Sequence, residues 1–319
     1  MGLLVDGKWQ DRWYDTDATG GRFKRQDSAF RDRIGSERFP AEAGRYHLFV
    51  AWACPWAHRT LIVRRLKGLT EAIGVSVVAP LMLENGWEFP DGGDPLTGSR
   101  YLYEVYLQAR PDYTGRVTVP VLWDTHTRAI VNNESAEIVR MLNSGFGDLA
   151  SGPDLYPEDL RAEIDAVNER VYGDINNGVY KAGFATTQEA YDEAFDALFA
   201  ALDWVEDRLG RQRYLAGDRI TEADWRLFTT LVRFDAVYHG HFKCNLRRIA
   251  DYPHMAGYLR ELYQVPGVAE TVHFDHIKQH YYASHRTINP TGIVPKGPLL
   301  DLTAPHGRDR FAGIGDIVG

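Results

Sequence analysis

The chain has 319 residues, 44% of them hydrophobic and 25% charged, which is enough for two globular domains that each bury their own core. Its formal net charge of −8 argues against binding to nucleic acid or to an anionic membrane surface, and no run approaches the roughly 18 apolar residues of a membrane span. Only two cysteines occur, so no disulfide framework is expected, and the polar N-terminal residues lack the apolar core of a secretory signal; we therefore expect a cytoplasmic protein.

The first half of the chain predicts an alternation of strands and helices. Residues 1–44 show no sustained period and are interpreted as an irregular extension on the surface. A strand, a helix and a second strand follow, in RYHLFVAWA, PWAHRTLIVRRLKGL and IGVSVVAPL. Residues 82–115 are too long for an ordinary connection and predict a functional loop with a short helix. Two further strands, VTVPVLWD and RAIVNN, precede the helix SAEIVRMLN, and this order over residues 45–150 is typical of a thioredoxin-like sheet with helices on both faces.

The second half predicts helices only. Helical spacing runs through PEDLRAEIDAVNERVYGDINNGVYKAGF, TTQEAYDEAFDALFAALDWVEDRL, TEADWRLFTTLVRFDAVYH and YPHMAGYLRELYQV. Thr221, with Asp224 three residues further on, has the N-cap pattern of the third of these helices. The sequence thus predicts an α/β thioredoxin-like domain, an all-α domain over residues 151–285, and a Pro/Gly-rich, extended C-terminal segment over residues 286–319.

Cys54 lies where the first strand turns into the first helix. With Cys54 as N-cap and Pro55 at the first helical position, the unpaired N–H groups and the positive end of the helix dipole favour the thiolate, which is the reactive form. His58 and Arg59 either add positive potential or point to solvent. The alternative is that Cys54 is a small buried hydrophobe, as free cysteines often are.

Ala57 occupies the position of the second cysteine in a redox dithiol. A Cys-x-x-Ala site cannot resolve its own mixed disulfide, so an external thiol must do so. Glutathione is the abundant thiol of a reducing cytosol, and the motif therefore indicates glutathione-dependent thiol exchange, with glutathione as a co-substrate.

Two further segments have the groups that glutathione needs. Val119 offers its backbone to the peptide if the Val119–Pro120 bond is cis. Ser135, at the start of a helix, can donate its hydroxyl and N–H to the γ-glutamyl carboxylate, while Glu134 can bind the α-amino group. The alternative is that the segment from Asn133 to Ser135 only caps the helix, and capping is compatible with binding.

Motifs along nearly the whole chain resemble one family. They are CPWAHR from Cys54, ENGWEFPDG from Glu84, VPVLWD from Val119, NNESAEI from Asn132, VYHGHFKCN from Val237 and INPTGIVPKGP from Ile288. Together they resemble the glutathione transferase superfamily, and within it the glutathionyl-hydroquinone reductases, also called Xi-class or omega-like transferases. The resemblance implies the glutathione transferase fold and a homodimer.

The resemblance also implies a reaction and its residues. The Cys54 thiolate attacks the sulfur of a glutathionyl-hydroquinone, a Cys54–glutathione disulfide forms, and a second glutathione releases oxidised glutathione. The carbon that leaves must be protonated, for which the family uses tyrosines; the candidates here are Tyr180, Tyr238 and Tyr282, although each can instead be a core residue. Trp87 resembles part of the family's glutathione site.

Three other functions are weighed against this one. A general glutathione thiol transferase or dehydroascorbate reductase would use Cys54 on broader disulfides. A non-catalytic binding module would use its ligand-binding cleft only for docking. Metal binding is not expected, because neither the set His239, His241 and Cys244 nor the set His273, His276 and His280 has a clear complete group of ligands.

Overall fold

The computed structural model describes residues 2–311, which form two compact units. Unit 1 comprises residues 2–14, Arg25–Gly152 and His273–Arg286. Unit 2 comprises Asp15–Lys24, Pro153–Val272 and residues 287–311. The predicted C-terminal segment lies in part outside the described residues.

Within the described part of the chain, the strands are β1 (Leu3–Val5), β2 (Lys8–Gln10), β3 (Tyr46–Val50), β4 (Ile73–Val77), β5 (Met82–Leu83), β6 (Gly86–Trp87), β7 (Gly115–Arg116), β8 (Val121–Asp124) and β9 (Ala129–Asn132). The α-helices of the same residues are α1 (Pro55–Leu66), α2 (Leu102–Ala109), α3 (Ser135–Arg140), α4 (Arg161–Arg170), α5 (Gly178–Gly183), α6 (Gln188–Leu209), α7 (Glu222–Arg233), α8 (Met255–Tyr263) and α9 (Phe274–Ser284).

The central sheet of unit 1 has the strand order β4-β3-β8-β9. Strand β3 pairs in parallel with β4 and antiparallel with β8, and β8 forms a hairpin with β9. Leu48, Phe49 and Val50 of β3 are all buried, as expected for a strand that is covered on both faces. Proline has no N–H to donate, and β8 begins directly after Pro120. These elements confirm the predicted thioredoxin-like order, including a short helix, α2, within residues 82–115.

The N-terminal residues differ from the prediction. Strands β1 and β2 form a hairpin, and β1 also pairs with β7, so that Leu4 is fully buried. The turn places Asp6 and Gly7 at φ +47 and +73, the conformation that Asp-Gly adopts in two-residue hairpins. The expectation of an irregular surface extension was wrong for these residues. Strands β1 and β2 are too short to show the alternation of apolar and polar residues that is typical of a strand. The Asp-Gly pair in LLVDGKWQ, however, could have indicated a hairpin turn.

The grouping of the chain also differs from the predicted domain limits. Helix α9, predicted as part of the helical domain, belongs to unit 1, because its side chains pack on tryptophans of that unit. The segment Asp15–Lys24, predicted as part of the N-terminal extension, belongs to unit 2, where Phe23 packs on Tyr180 and Phe184.

Unit 2 carries helices α4 to α8, which confirms the predicted helical part. Thr187 caps the long helix α6 by accepting a hydrogen bond from the N–H of Ala190. Thr221 and Asp224 form the predicted capping box of α7, and Asp224 is fully buried. Across residues 2–311, no helix is both long and apolar enough to cross a membrane.

Candidate active site

Cys54 is the N-cap of helix α1, as the sequence predicts. Its backbone is extended (φ −77, ψ 122), its N–H donates to the carbonyl of Ala51, and its own carbonyl accepts from the N–H of His58. Pro55 occupies the first helical position. The thiol is half-buried and lies at the point where helix N–H groups have no partner within the helix. This is a place where a thiolate is favoured.

The residues after Cys54 face inward. Ala57 and His58 are fully buried and Arg59 is 1% exposed, so neither His58 nor Arg59 points to solvent, which was one of the two alternatives. The guanidinium of Arg59 lies 4.7 Å from the ring centroid of Trp56. Arg25 approaches the same ring at 4.9 Å. Arg25 and Arg59 therefore both lie against the ring of Trp56, two residues after Cys54. The sequence analysis did not identify Arg25 as a residue of this site.

The loop before β8 brings a backbone carbonyl to the thiol. The Val119–Pro120 peptide bond is cis, and the Cys54 sulfur lies 3.6 Å from the carbonyl oxygen of Val119. Within residues 2–311, no acceptor pairs with the Val119 N–H. The Val119 N–H could therefore form a hydrogen bond with a peptide ligand that lies alongside it like a neighbouring β-strand.

Glu134 and Ser135 begin helix α3, and the structure shows the capping alternative for Glu134. One oxygen of the Glu134 carboxylate accepts from the N–H of Ala136 at 3.2 Å, and the other accepts from the hydroxyl of Ser28 at 3.1 Å. Ser135 is 3% exposed. Each carboxylate oxygen has a second lone pair, so capping leaves Glu134 able to bind an ammonium group.

Trp87 lies on the β5–β6 hairpin, opposite Met82. It is 6% exposed, and its ring stacks on the imidazole of His280 with centroids 4.8 Å apart and planes inclined by 20°. No described residue accepts a hydrogen bond from its indole N–H. Trp87 thus combines a fixed ring plane with an available donor.

The three candidate tyrosines lie in different places. Tyr282 is a half-buried residue of α9 in unit 1, whereas Tyr180 of α5 and Tyr238 belong to unit 2. The rings of Tyr180 and Tyr238 have centroids 6.0 Å apart, and each lies 5.5 Å from the ring of Phe242. A side chain at Gly183 would come within 2.2 Å of the Phe242 ring, so glycine is needed there for this aromatic cluster.

The potential metal ligands do not assemble. Among the described residues, no three His, Cys, Asp or Glu side chains lie close enough to hold a metal ion. Burial, together with nearby Lys243, lowers the pKa of His241 to about 4. Burial raises the pKa of the Cys244 thiol well above its usual range.

Three histidines pack on two tryptophans, one at the N-cap of α9 and two within the helix. His273 stacks on Trp52 with ring centroids 3.7 Å apart, and His276 approaches the same ring edge-on at 4.7 Å. His280, one turn further, stacks on Trp87. The spacing of three and four residues was visible in the sequence and indicates one helix face. Their aromatic role was not predicted, because the tryptophans are far away along the chain.

A thioredoxin-like sheet unit together with a helical unit is typical of the class of glutathione transferases, and Cys54 at the start of α1 fits that class. The family model described as "Glutathione S-transferase, N-terminal domain" matches residues 53–144, and "Glutathione S-transferase, C-terminal domain" matches residues 188–261. The chain belongs to the glutathione S-transferase family.

Relatives within that family confirm the narrower resemblance. The chain is 58% identical to the glutathionyl-hydroquinone reductase YqjG of Escherichia coli, over 98% of this chain and 100% of the relative. It is 57% identical to the glutathionyl-hydroquinone reductase PcpF of Sphingobium chlorophenolicum, over 95% of this chain and 98% of the relative. The glutathione-bound structure of YqjG aligns with a TM-score of 0.89 and 54% identity over the structural alignment, covering 97% of this chain and 99% of that one.

Proposed function

We propose that this protein reduces glutathionyl-hydroquinones to hydroquinones, with glutathione as the reductant. The observation that carries the proposal is Cys54 at the N-cap of α1, with Ala57 where a resolving cysteine would lie. Such a thiol can hold one glutathionyl group and needs another thiol to release it. The two relatives named above as glutathionyl-hydroquinone reductases support the choice of substrate.

The reaction consists of two exchanges at sulfur. In the first, the Cys54 thiolate attacks the sulfur of the glutathionyl-hydroquinone, the bond between that sulfur and the ring carbon breaks, and the carbon takes a proton. The products are the hydroquinone and a Cys54–glutathione disulfide. In the second, a glutathione thiolate attacks the glutathione sulfur of that disulfide, which gives oxidised glutathione and regenerates the Cys54 thiolate. The ring carbon gains two electrons as the Cys54 sulfur and the thioether sulfur of the conjugate join in a disulfide. The second exchange returns Cys54 to the thiolate, so the two sulfurs of oxidised glutathione carry the net loss of two electrons.

Glutathione binding is proposed to use residues of unit 1. The Val119 N–H and carbonyl would bond the cysteinyl part of the tripeptide, and Pro120 shapes that loop. Ser135 would donate to the γ-glutamyl carboxylate, and Glu134 would bind the α-amino group through its remaining lone pairs. Trp87 would donate its indole N–H to the ligand. The glutathione-bound structure of the YqjG relative supports glutathione as the ligand.

The proton for the ring carbon is proposed to come from a tyrosine hydroxyl. Tyr180, Tyr238 and Tyr282 are the candidates, because a phenol can donate to the carbon and can also bond the ring hydroxyl of the substrate. Replacing each by phenylalanine distinguishes them. The donor's variant should lose at least about a hundredfold in kcat for the hydroquinone conjugate. It should keep its rate with a simple mixed disulfide, whose leaving thiolate needs no proton on carbon.

The proposal is tested by mass spectrometry and by a choice of substrates. The chain is mixed with a glutathionyl-hydroquinone in the absence of free glutathione, and the peptide that contains Cys54 is examined for one added glutathionyl group. Turnover is then compared between glutathionyl-menadiol and a glutathione mixed disulfide. Much faster turnover of the disulfide would favour a general thiol transferase, and no adduct with no turnover of either would favour a non-catalytic binding module.

We further propose that the protein acts as a homodimer in the cytoplasm. Light scattering at several concentrations measures the assembly state, and fractionation of cells that express the chain measures its location. A monomer at all concentrations would contradict the first expectation, and recovery outside the cytosolic fraction would contradict the second.

A further inference from the structure

The hairpin that carries Trp87 is held by residues far away along the chain. From the N-terminal side, the indole N–H of Trp9 donates to the carbonyl of Glu84 at 2.9 Å. Its ring lies so close to Gly86 that a Cβ there would be 2.7 Å away, and Gly86 has φ +71. Glycine is therefore required at this turn. The hairpin backbone is fixed on this side.

Helix α9 holds the other side of the hairpin. The N–H of Met82 donates to the hydroxyl of Ser284 at 3.0 Å. The imidazole Nδ1 of His280 lies 3.0 Å from the carbonyl oxygen of Pro80. Both contacts join α9 to the residues that lead into and begin strand β5. The helix thus has a fixed position relative to the strand opposite Trp87.

His280 has a protonated Nδ1 and a defined ring plane. A carbonyl oxygen only accepts, so Nδ1 must carry the proton that is donated to Pro80. That bond fixes the plane of the imidazole, which lies nearly parallel to the Trp87 indole at a centroid distance of 4.8 Å. His280 is 6% exposed, so water does not compete strongly for either contact. A ring with a fixed plane leaves the stacked indole little freedom to rotate.

We propose that His280 is a positioning residue for Trp87: it holds the indole in the orientation that binds glutathione. This rests on the proposed function only in that Trp87 contacts glutathione. His280 itself need not touch the ligand, because the imidazole acts through the indole. A loss of orientation should appear in glutathione affinity and leave the chemistry at Cys54 intact.

Two substitutions separate the stack from the hydrogen bond. His280→Phe keeps an aromatic ring against the indole and loses the donor to Pro80. His280→Gln offers an amide donor and loses the aromatic face. Calorimetry with reduced glutathione should show that His280→Gln weakens binding about threefold to tenfold. His280→Phe, which keeps the stacked ring but loses the bond that fixes its plane, should weaken binding by less than about threefold. In steady-state assays the KM for glutathione should follow the same order, with kcat within about twofold of the parent.

A double-mutant cycle distinguishes positioning from a general structural role. If His280 acts through the indole, adding His280→Gln to Trp87→Leu should not weaken glutathione binding beyond Trp87→Leu alone. Additive losses would overturn the proposal, and so would unchanged affinity in His280→Gln or in Trp87→Leu. Because binding is measured without turnover, a chain that binds glutathione but does not reduce the conjugate contradicts only the proposed function.

His126 provides a matched control. It lies exposed in the β8–β9 turn of the same unit, where its backbone N–H donates to the Asp124 carboxylate at 3.1 Å, a bond that any side chain at this position would leave in place. His126→Gln and His126→Phe should leave glutathione affinity within experimental error.

Melting temperatures of all variants show whether each is folded. If His280→Gln fails to fold while His280→Phe is folded and binds glutathione tenfold more weakly, the stacked ring does not position the indole and the proposal is wrong.

Discussion

The two cysteines have the same side chain and opposite surroundings. Cys54 is half-buried at the start of helix α1, with its sulfur 3.6 Å from a backbone carbonyl. Cys244 is fully buried, its N–H donates to the carbonyl of Tyr238, and burial raises the pKa of its thiol. A helix N-terminus favours a thiolate, whereas an apolar interior favours the neutral thiol. Position in the fold therefore supports Cys54 as the proposed nucleophile, and substitution of each cysteine tests this difference.

Substituting each cysteine in turn should give the largest difference in activity. Cys54→Ala deletes the proposed nucleophile, so we expect kcat/KM for a glutathionyl-hydroquinone to fall at least about a thousandfold. Cys244→Ala should stay within about twofold of the parent, because this side chain is fully buried and has no part in the proposed reaction. Release of hydroquinone, followed by chromatography, measures both. Equal activity of the parent and Cys54→Ala would show that Cys54 is not the nucleophile.

Alkylation of the native protein should separate the same two thiols. We expect iodoacetamide to modify Cys54 at least about a hundredfold faster than Cys244, because the buried thiol reacts only when its surroundings open. A time course of the two peptides by mass spectrometry gives both rates. Saturating glutathionyl-hydroquinone should protect Cys54, and denaturant should bring the two rates together. Similar rates in the native protein would show that burial does not distinguish the two residues.

The site around Cys54 was predictable because its signals are local. Strand, Cys-Pro and helix are contiguous in the sequence, and the cap at Thr221 and Asp224 was equally visible. The contacts of α9 were not, because stacking of His280 on Trp87 joins residues about two hundred positions apart. Helical periodicity identifies the face that holds these histidines, but it does not identify what that face packs against. For the same reason, the pairing of β1 with β7 was missed.

A second thiol placed next to Cys54 should change how the mixed disulfide is resolved. In Ala57→Cys the new thiol lies three residues on, on the first turn of α1, where it can attack the Cys54–glutathione disulfide. We expect the trapped glutathione adduct to fall about tenfold and an internal disulfide between Cys54 and the introduced thiol to appear. Mass spectrometry without added glutathione measures both species. Ala57→Ser, of similar size and without a thiol, is the control and should keep the adduct.

An unchanged adduct in Ala57→Cys would mean that the new thiol cannot reach the Cys54 sulfur. Ala57 is fully buried, so the variant should also be checked for its melting temperature. A normal melting temperature with an unchanged adduct would contradict the geometry assigned to the first turn of α1.

The smallest expected effect concerns stability at alkaline pH. Burial raises the pKa of Cys244 in the folded chain, so above about pH 8.5 the unfolded chain loses this proton while the folded chain keeps it. Fewer protons are then bound in the unfolded state, and the free energy of unfolding falls as the pH rises, by up to about 1.4 kcal/mol per pH unit.

Cys244→Ala removes this contribution, so its free energy of unfolding should fall less steeply between about pH 8.5 and 10.5. Denaturant unfolding of both proteins across this range measures the difference, which isolates Cys244 from the other groups that titrate there. Parallel slopes would show that the Cys244 thiol ionises equally in the folded and unfolded chains, and the two cysteines would then differ in exposure alone.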